Sequence, residues 1–416
     1  MRIVVYTLGC KVNQYESDGL IFNLKQMGHD VTSNLEVADL YILNTCAVTN
    51  EAEKKSRQTI AKFKELNPKA KILVCGCASQ KNSDQFERLG ADFIVGTANK
   101  ISLSDSLEKK GKEIYELPTT YNDHYVVTPS KTRAYIKIQD GCNNFCSYCI
   151  IPYLRGRSRS RDIISIIQEV DELSKQVKEI VITGINITDF KIDGKLAFDR
   201  LISQLKPYKN VRFRLGSIEQ GLITEKFIKA LKEANICPHF HLSLQSGSSS
   251  VLKRMNRKYK ASDFLKTINL LRKHFDNPCI TTDIIVGFPE ETDAEFLETM
   301  HFAKRARFYN IHIFPYSPRS GTVAEKMKQI DGNIKKERVK KLSVLNKELN
   351  KKYINSCKNK VLTALIEEEV DGFFVGHTEN YIKCYIKEEC KLSEFVKVKI
   401  VEAYKDGALA CVVIDI

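Results

Sequence analysis

The sequence predicts an α/β chain built of three successive units: a parallel α/β domain, a partial (β/α)6 barrel and a small antiparallel β-barrel. Three observations lead there. Short apolar strands alternate with helical stretches from residue 1 to about 98. The same alternation returns on a larger scale from Arg133. From about Cys357 it gives way to strands and turns with no helix between them.

In the first unit (1–98), residues 2–7, 40–44, 71–75 and 93–96 are short β-type runs, with helices expected over 18–27, 51–65 and 83–89. That order favours a parallel sheet, because parallel neighbours need a crossover between them. Residues 99–131 are polar and mixed and read as a connector. The second unit (132–356) offers six strands, at 134–138, 179–183, 211–215, 239–244, 281–286 and 310–314. Helices such as 163–175 and 261–274 separate them. Six strand–helix repeats imply a sheet that curls into a full or partial barrel, with its chemistry at the carboxyl ends of the strands. A basic helix over 333–355 carries Val339, Leu342, Leu345 and Leu349 on one face. The third unit (357–416) has strands at 362–368, 372–375, 382–386, 396–404 and 409–414, the pattern of a small β-barrel.

The 416 residues, 43% hydrophobic and 28% charged, suffice for these cores. No run of about 18 apolar residues occurs, so no membrane span is expected. The first residues read as a strand rather than a signal peptide, and a cytoplasmic location is expected. In that compartment the 13 cysteines argue against a disulfide framework; some read as metal ligands, the others as small buried side chains. The net charge of +14 favours a polyanionic partner, nucleic acid first, over a merely Lys-rich solvated surface.

The strongest local pattern is CxxxCxxC at Cys142, Cys146 and Cys149, directly after the first barrel strand. Three thiolates on one loop can hold three corners of an iron–sulfur cube and leave one iron open for a substrate such as S-adenosylmethionine (SAM). A zinc site or chance clustering is the competing explanation, but zinc generally takes four ligands in paired CxxC spacing, and no fourth Cys or His lies close in sequence. Three further cysteines, Cys10, Cys46 and Cys77, each follow a strand of the first unit. An open α/β sheet brings such positions to one edge. Spacing alone leaves open whether they form a site or are buried structural thiols.

The CxxxCxxC loop and the strand ends after it resemble the radical SAM superfamily over roughly 133–350. The resemblance implies SAM contacts at Tyr148, before the last cysteine; at Gly184, ending the second strand; at Glu219, in Ser217-Ile218-Glu219; and at Gly287, in Thr282-Asp283-Ile284-Ile285-Val286-Gly287-Phe288-Pro289. The first unit adds GCxxNQYES around Cys10, NTCxVT around Cys46 and GCxSQ around Cys77. With the run His241-Leu242-Ser243-Leu244-Gln245-Ser246-Gly247-Ser248 and Val251–Arg257, these resemble the radical SAM methylthiotransferase family over the whole chain.

That resemblance implies two [4Fe–4S] clusters, one on Cys142, Cys146 and Cys149 and a sulfur-delivering one on Cys10, Cys46 and Cys77. It also implies two molecules of SAM, one as methyl donor and one as radical source, and a low-potential one-electron donor such as flavodoxin or ferredoxin. Two features depart from simple expectation: Cys75 lies beside Cys77 as a rival ligand, and Gln220 stands where the family commonly has proline.

The residues after Cys10, Lys11-Val12-Asn13-Gln14-Tyr15-Glu16, resemble the bacterial type that acts on N6-threonylcarbamoyladenosine beside the tRNA anticodon. The isopentenyladenosine type tends to read GCQMN, and the type acting on a ribosomal-protein aspartate GCPKN. Those two substrates are the alternatives, and a non-catalytic RNA-binding metalloprotein is the alternative of another class. The run Arg155-Gly156-Arg157-Ser158-Arg159-Ser160-Arg161 reads as RNA or cofactor contacts rather than a solvated loop or an anchor of the cluster loop. The last unit resembles the TRAM domain, an RNA-binding barrel, with Lys383, Lys387, Lys397 and Lys399 as candidate backbone contacts and His377 as a structural residue.

Overall fold

The computed structural model describes residues 1–121 and 132–413. The end of the expected connector (122–131) and residues 414–416 lie outside them.

The first unit is a six-stranded, all-parallel sheet in the order Asp30–Thr32, Arg2–Thr7, Leu40–Thr45, Lys71–Gly76, Phe93–Val95, Gly111–Glu113. The four central strands match the apolar runs. The two edge strands are three residues long and mostly polar, so they leave little alternation to detect. Gly111–Glu113 lies within the stretch expected as connector, and the sheet therefore runs on past residue 98. The first helix, Lys11–Gln26, starts seven residues before the expected boundary of 18. Its first turns bury Asn13 and Ser17 beside Val12 and Tyr15, and buried polar residues erase the apolar period on which the expectation rested. Sheet growth reverses direction between Arg2–Thr7 and Leu40–Thr45. In doubly wound sheets that switch point opens a crevice outside the carboxyl ends of the strands.

The second unit is an open barrel. Ala134–Asp140, Glu179–Gly184 and Arg212–Leu215 form one parallel set, and His239–Gln245, Cys279–Val286 and Asn310–Pro315 another. Isolated bridges Phe213–Ile236 and Ile218–Leu242 join the two. The strands alternate in an instructive way. Ile136, Ile180, Phe213, Leu242 and Ile284 pack outward into one large core with the surrounding helices. Arg212, Arg214, His239, His241, Thr281 and Asp283 occupy the opposite register and give the barrel a polar interior.

The first unit covers the open side of this barrel. Its first helix meets the Ala134–Asp140 edge through Glu16 and Lys137 (2.8 Å). Its second helix, Asn50–Leu66, meets the segment after Asn310–Pro315 through Glu53 and Arg319 (3.1 Å). The third unit is a closed five-stranded barrel: Val361–Val370, Phe373–Thr378, Lys383–Ile386, Gly407–Val412 and Phe395–Tyr404, in that spatial order. It packs on the 25-residue helix Gly332–Ser356 through Tyr353, Ile354 and Cys357. It also caps the amino ends of the large barrel's strands. Arg212 donates to the Thr363 and His377 carbonyls (2.8 Å each), and Arg214 to those of Thr378 and Glu379 (3.2 Å each).

The fully buried Glu179 holds these arginines, at 2.7 Å from Arg212 and 2.8 Å from both Arg133 and Arg214. Burial alone would raise its pKa, but the three guanidinia hold it far below the usual carboxylate range. Removing one partner of a buried ion cluster strands the rest. Glu179→Ala is therefore expected to cost about 3–5 kcal/mol, measurable by denaturant unfolding, and to expose the junction near Cys357 to limited proteolysis.

Candidate metal and cofactor sites

Cys10 and Cys46 follow the two strands that flank the switch point, and Cys77 follows the next strand. Two of the thiols, those of Cys10 and Cys77, follow a glycine with positive φ. Gly9 has φ +102°, and a Cβ there would lie 2.8 Å from the Cys46 Sγ. Gly76 has φ +110° and a virtual Cβ 2.4 Å from the Thr45 carbonyl oxygen, so only glycine allows the sharp entry into the short helix Cys77–Lys81. Burial pushes the Cys46 thiol up to about 12, with Cys77 and Cys10 adding to the rise. Cys75 is fully buried and packs on the other face of the sheet, among Leu20, Leu40 and Phe93, whereas Cys77 shares its surroundings with Cys46.

The CxxxCxxC loop is held from behind by the Val251–Arg257 segment. Ser147 N donates to the Met255 carbonyl (3.1 Å), Ser147 Oγ to that of Arg254 (2.8 Å) and Asn256 Nδ2 to that of Phe145 (2.9 Å). Arg257 points an Nη at the Cys146 Sγ (3.4 Å). Burial lifts the Cys142 thiol to about 11 and the Cys149 thiol to about 12, and the neighbouring Cys146 adds to both. Three thiols on one loop, Cys146 buried and Cys142 and Cys149 half-buried, beside a guanidinium suit a polynuclear centre: metal binding deprotonates them, and the cation offsets part of the charge gathered there.

Of the residues expected at SAM, Tyr148 and Glu219 sit against this loop. Tyr148 packs edge-on to Phe288 at 6.4 Å. Glu219 accepts from Asn144 Nδ2 (2.7 Å) and pairs with Arg257 (3.2 Å). Gly184 lies at its strand end, where a Cβ would come within 2.8 Å of the Gln139 carbonyl oxygen. Gly287 has φ +66° and a virtual Cβ 2.5 Å from Lys335 Cγ, so its glycine answers to the Gly332–Ser356 helix. Gln220, in the position of the expected proline, opens a single 3-10 turn and accepts from Thr267 Oγ1 (3.2 Å).

Sequence reasoning missed what lies between the two cysteine sites. Arg155 is 1% exposed and donates to Glu16 (2.8 Å), Asp140 (3.1 Å) and Asn13 Oδ1 (2.7 Å). Glu16 also takes Lys100 (2.5 Å) and Lys137 (2.8 Å); Asp140 takes Lys137 (2.7 Å) and Arg159 (3.0 Å). Tyr15 donates to Glu169 (3.2 Å), which also pairs with the buried Arg161. The arginine run is thus corrected: Arg155 and Arg161 bind the barrel to the first unit, Arg159 pairs with Asp140 within the barrel, and only Arg157 is exposed, stacked over Phe145 at 4.4 Å. The NQYES string supplies the opposite side of this contact. In the C-terminal barrel, Lys387, Lys397 and Lys399 are exposed, Lys383 pairs with Asp406 (3.1 Å), and His377 is tied to Glu367 (2.6 Å).

Comparison with known proteins agrees with this architecture. The chain matches the Radical SAM superfamily over residues 136–303, the TRAM domain over 355–413 and the uncharacterized protein family UPF0004 over 2–96. It is 39% identical to the threonylcarbamoyladenosine tRNA methylthiotransferase MtaB of Bacillus subtilis, covering 99% of this chain and 97% of that protein. The chain belongs to the radical SAM methylthiotransferase family. The Thermotoga maritima MtaB is 37% identical over 98% of this chain and 96% of its own length. The tRNA-2-methylthio-N(6)-dimethylallyladenosine synthase of Alkaliphilus oremlandii is 34% identical over 96% and 90%. Among solved structures, the radical SAM methyltransferase TsrM of Kitasatospora setae shares the fold, with a TM-score of 0.56 at 14% identity over 76% of each chain. A radical SAM methylthiotransferase uses SAM and iron–sulfur clusters, and the two three-cysteine groups fit that chemistry.

Two outcomes test the sites. In anaerobically reconstituted protein, Cys77→Ala should retain about four irons and Cys75→Ala about eight; the reverse result would exchange their roles. Glu16 supplies the second test. Burial alone would raise its pKa, yet Arg155, Lys100 and Lys137 hold it well below the usual range. Its stabilisation is complete above the unfolded value of about 4.3 and is lost as pH falls through the lower folded value. Glu16→Gln should destabilise the protein at pH 7 and flatten the loss of stability below about pH 4, as followed by denaturant melts across that range.

Proposed function

We propose that this chain converts N6-threonylcarbamoyladenosine, on the 3′ side of the tRNA anticodon, into its 2-methylthio derivative, with two [4Fe–4S] clusters and two molecules of SAM. The observation that carries this reading is the pairing of a three-cysteine crevice at the switch point of the first sheet with a second three-cysteine loop at the mouth of the adjoining barrel. The MtaB relatives, matched almost end to end, support the choice of substrate.

In this reading Cys142, Cys146 and Cys149 hold the cluster that binds SAM, and Cys10, Cys46 and Cys77 hold the cluster that carries sulfur. When bound, these groups supply one-electron cleavage of SAM, hydrogen abstraction from the adenine and delivery of methylated sulfur. The chain's own residues position and shield. Tyr148, Gly184, Glu219 and Gly287 form the proposed SAM surround. Arg257 balances thiolate charge at Cys146. Polar side chains line the barrel interior, and exposed Lys387, Lys397 and Lys399 offer the RNA backbone a cationic face. The proposed division is 1–98 for the sulfur-cluster domain, 99–131 for the connector, 132–356 for the radical SAM domain and 357–416 for the RNA-binding barrel. A low-potential flavodoxin or ferredoxin as electron donor and a cytoplasmic location complete the proposal.

The 34% identity to a dimethylallyladenosine synthase favours a second reading with that substrate. Nucleoside mass spectrometry of tRNA from a deletion strain separates the two. The 2-methylthio derivative of threonylcarbamoyladenosine should vanish and return with the wild-type gene. Its persistence, with loss of the isopentenyl derivative, would transfer the assignment.

A further inference from the structure

Three adjacent parallel strands, His239–Gln245, Cys279–Val286 and Asn310–Pro315, bring His241, Asp283 and His312 to one face. The register decides this. His241 pairs with Thr281 on the middle strand, and Asp283, two residues further on, points to the same side as Thr281. His312 is the register partner of Asp283 on the third strand. Neighbouring strands lie about 4.8 Å apart, so the three side chains meet with no loop to position them.

Their donor atoms converge. One nitrogen of each ring and one carboxylate oxygen all lie within 4.8 Å of one another. His241 Nε2 is 3.1 Å from Asp283 Oδ2, and His312 Nδ1 is 3.2 Å from Asp283 Oδ1. In a tetrahedral site with bonds of about 2.0–2.1 Å, neighbouring donors are about 3.3 Å apart, so each histidine already stands at ligand spacing from the carboxylate. Two features add to the spacing. The other nitrogen of His241, Nδ1, meets the Thr281 hydroxyl at 2.9 Å. An outer partner on that nitrogen turns Nε2 toward Asp283, as outer partners do for metal-binding histidines. His241 is 8% exposed, whereas the His312 side chain is 51% exposed. The set is thus anchored on the inside and reachable from solvent, which gives an ion its entry path.

The donor set names the class of ion. Two imidazoles and one carboxylate suit divalent transition metals, whereas magnesium and calcium take oxygen donors. We propose that His241, Asp283 and His312 form a binding site for a divalent transition-metal ion of the zinc type, separate from the two cysteine groups and independent of the substrate reading. Three protein ligands leave a further position for water or for an oxygen of a bound molecule. His241 and Asp283 occupy the inward register of the barrel, so the ion sits on the inner face of these strands.

The test uses full-length protein, reconstituted anaerobically with iron and sulfide so that the cysteines are already engaged, and Zn²⁺ alone as the probe. Equilibrium dialysis against micromolar Zn²⁺, read by elemental analysis, should show one added zinc per chain with the iron content unchanged. His312→Ala and Asp283→Asn should each weaken zinc binding by about 100-fold, and Thr281→Val, which removes only the outer hydroxyl, by about tenfold. Zinc-edge X-ray absorption should show nitrogen and oxygen at about 2.0–2.1 Å and no sulfur at about 2.3 Å. Absence of the added zinc, a sulfur shell around it, or undiminished zinc binding by His312→Ala each overturns the assignment. If Asp283→Asn does not assemble, as judged by its iron content, His312→Ala decides, because that side chain is half-exposed.

Discussion

Glu16 and Asp140 are carboxylates buried between the first helix and the first barrel strand, and Arg155, Lys137 and Lys100 are the cations that keep them charged there. A buried charge is tolerated only when paired and hydrogen-bonded, so this cluster fixes the two domains in one relative placement rather than merely holding them together. Both cysteine sites depend on it. Glu16 lies six residues after Cys10, and Arg155 lies six after Cys149 and donates to Asn13 as well. Asn13 in turn donates to the carbonyls of Leu8 (2.8 Å) and Thr45 (3.0 Å), beside Cys10 and Cys46. One network thus sets both the shape of each site and the distance between them.

A second network does the same at the other end of the barrel. Glu179 gathers Arg133, Arg212 and Arg214, and these reach carbonyls of the C-terminal barrel. Tyr381 of that barrel stacks on His239 at 4.4 Å and lies under Arg214 at 4.6 Å. The C-terminal barrel therefore closes the amino end of the large one while its lysines face outward. On the proposed function, the same small domain serves RNA contact and closes the barrel.

Much of the fold was legible because its signals are local. Apolar strands two registers deep, helices of 3.6-residue period and a cysteine triad within eight residues all announce themselves in short windows. The helix start at Lys11 was not, since Asn13, Glu16 and Ser17 point into an interface that the isolated helix does not have. The role of Arg155–Arg161 was misread for the same reason: a run of four arginines looks like a cationic surface until the carboxylates that meet three of them are brought from elsewhere in the chain.

By itself the sequence determined the three-unit α/β architecture, the CxxxCxxC loop, the cysteine-bearing motifs of the first unit and the resemblance that joined them. Each is a property of residues close in the chain, or of motif strings that keep their order. Tertiary structure decided that Cys77 rather than Cys75 faces Cys46, because the two lie on opposite faces of one sheet. It decided that most of the basic run is buried. These are outcomes of tertiary packing, in which burial and charge are set by partners outside the local window, Arg155 and Glu16 being 139 residues apart, and no local pattern encodes them.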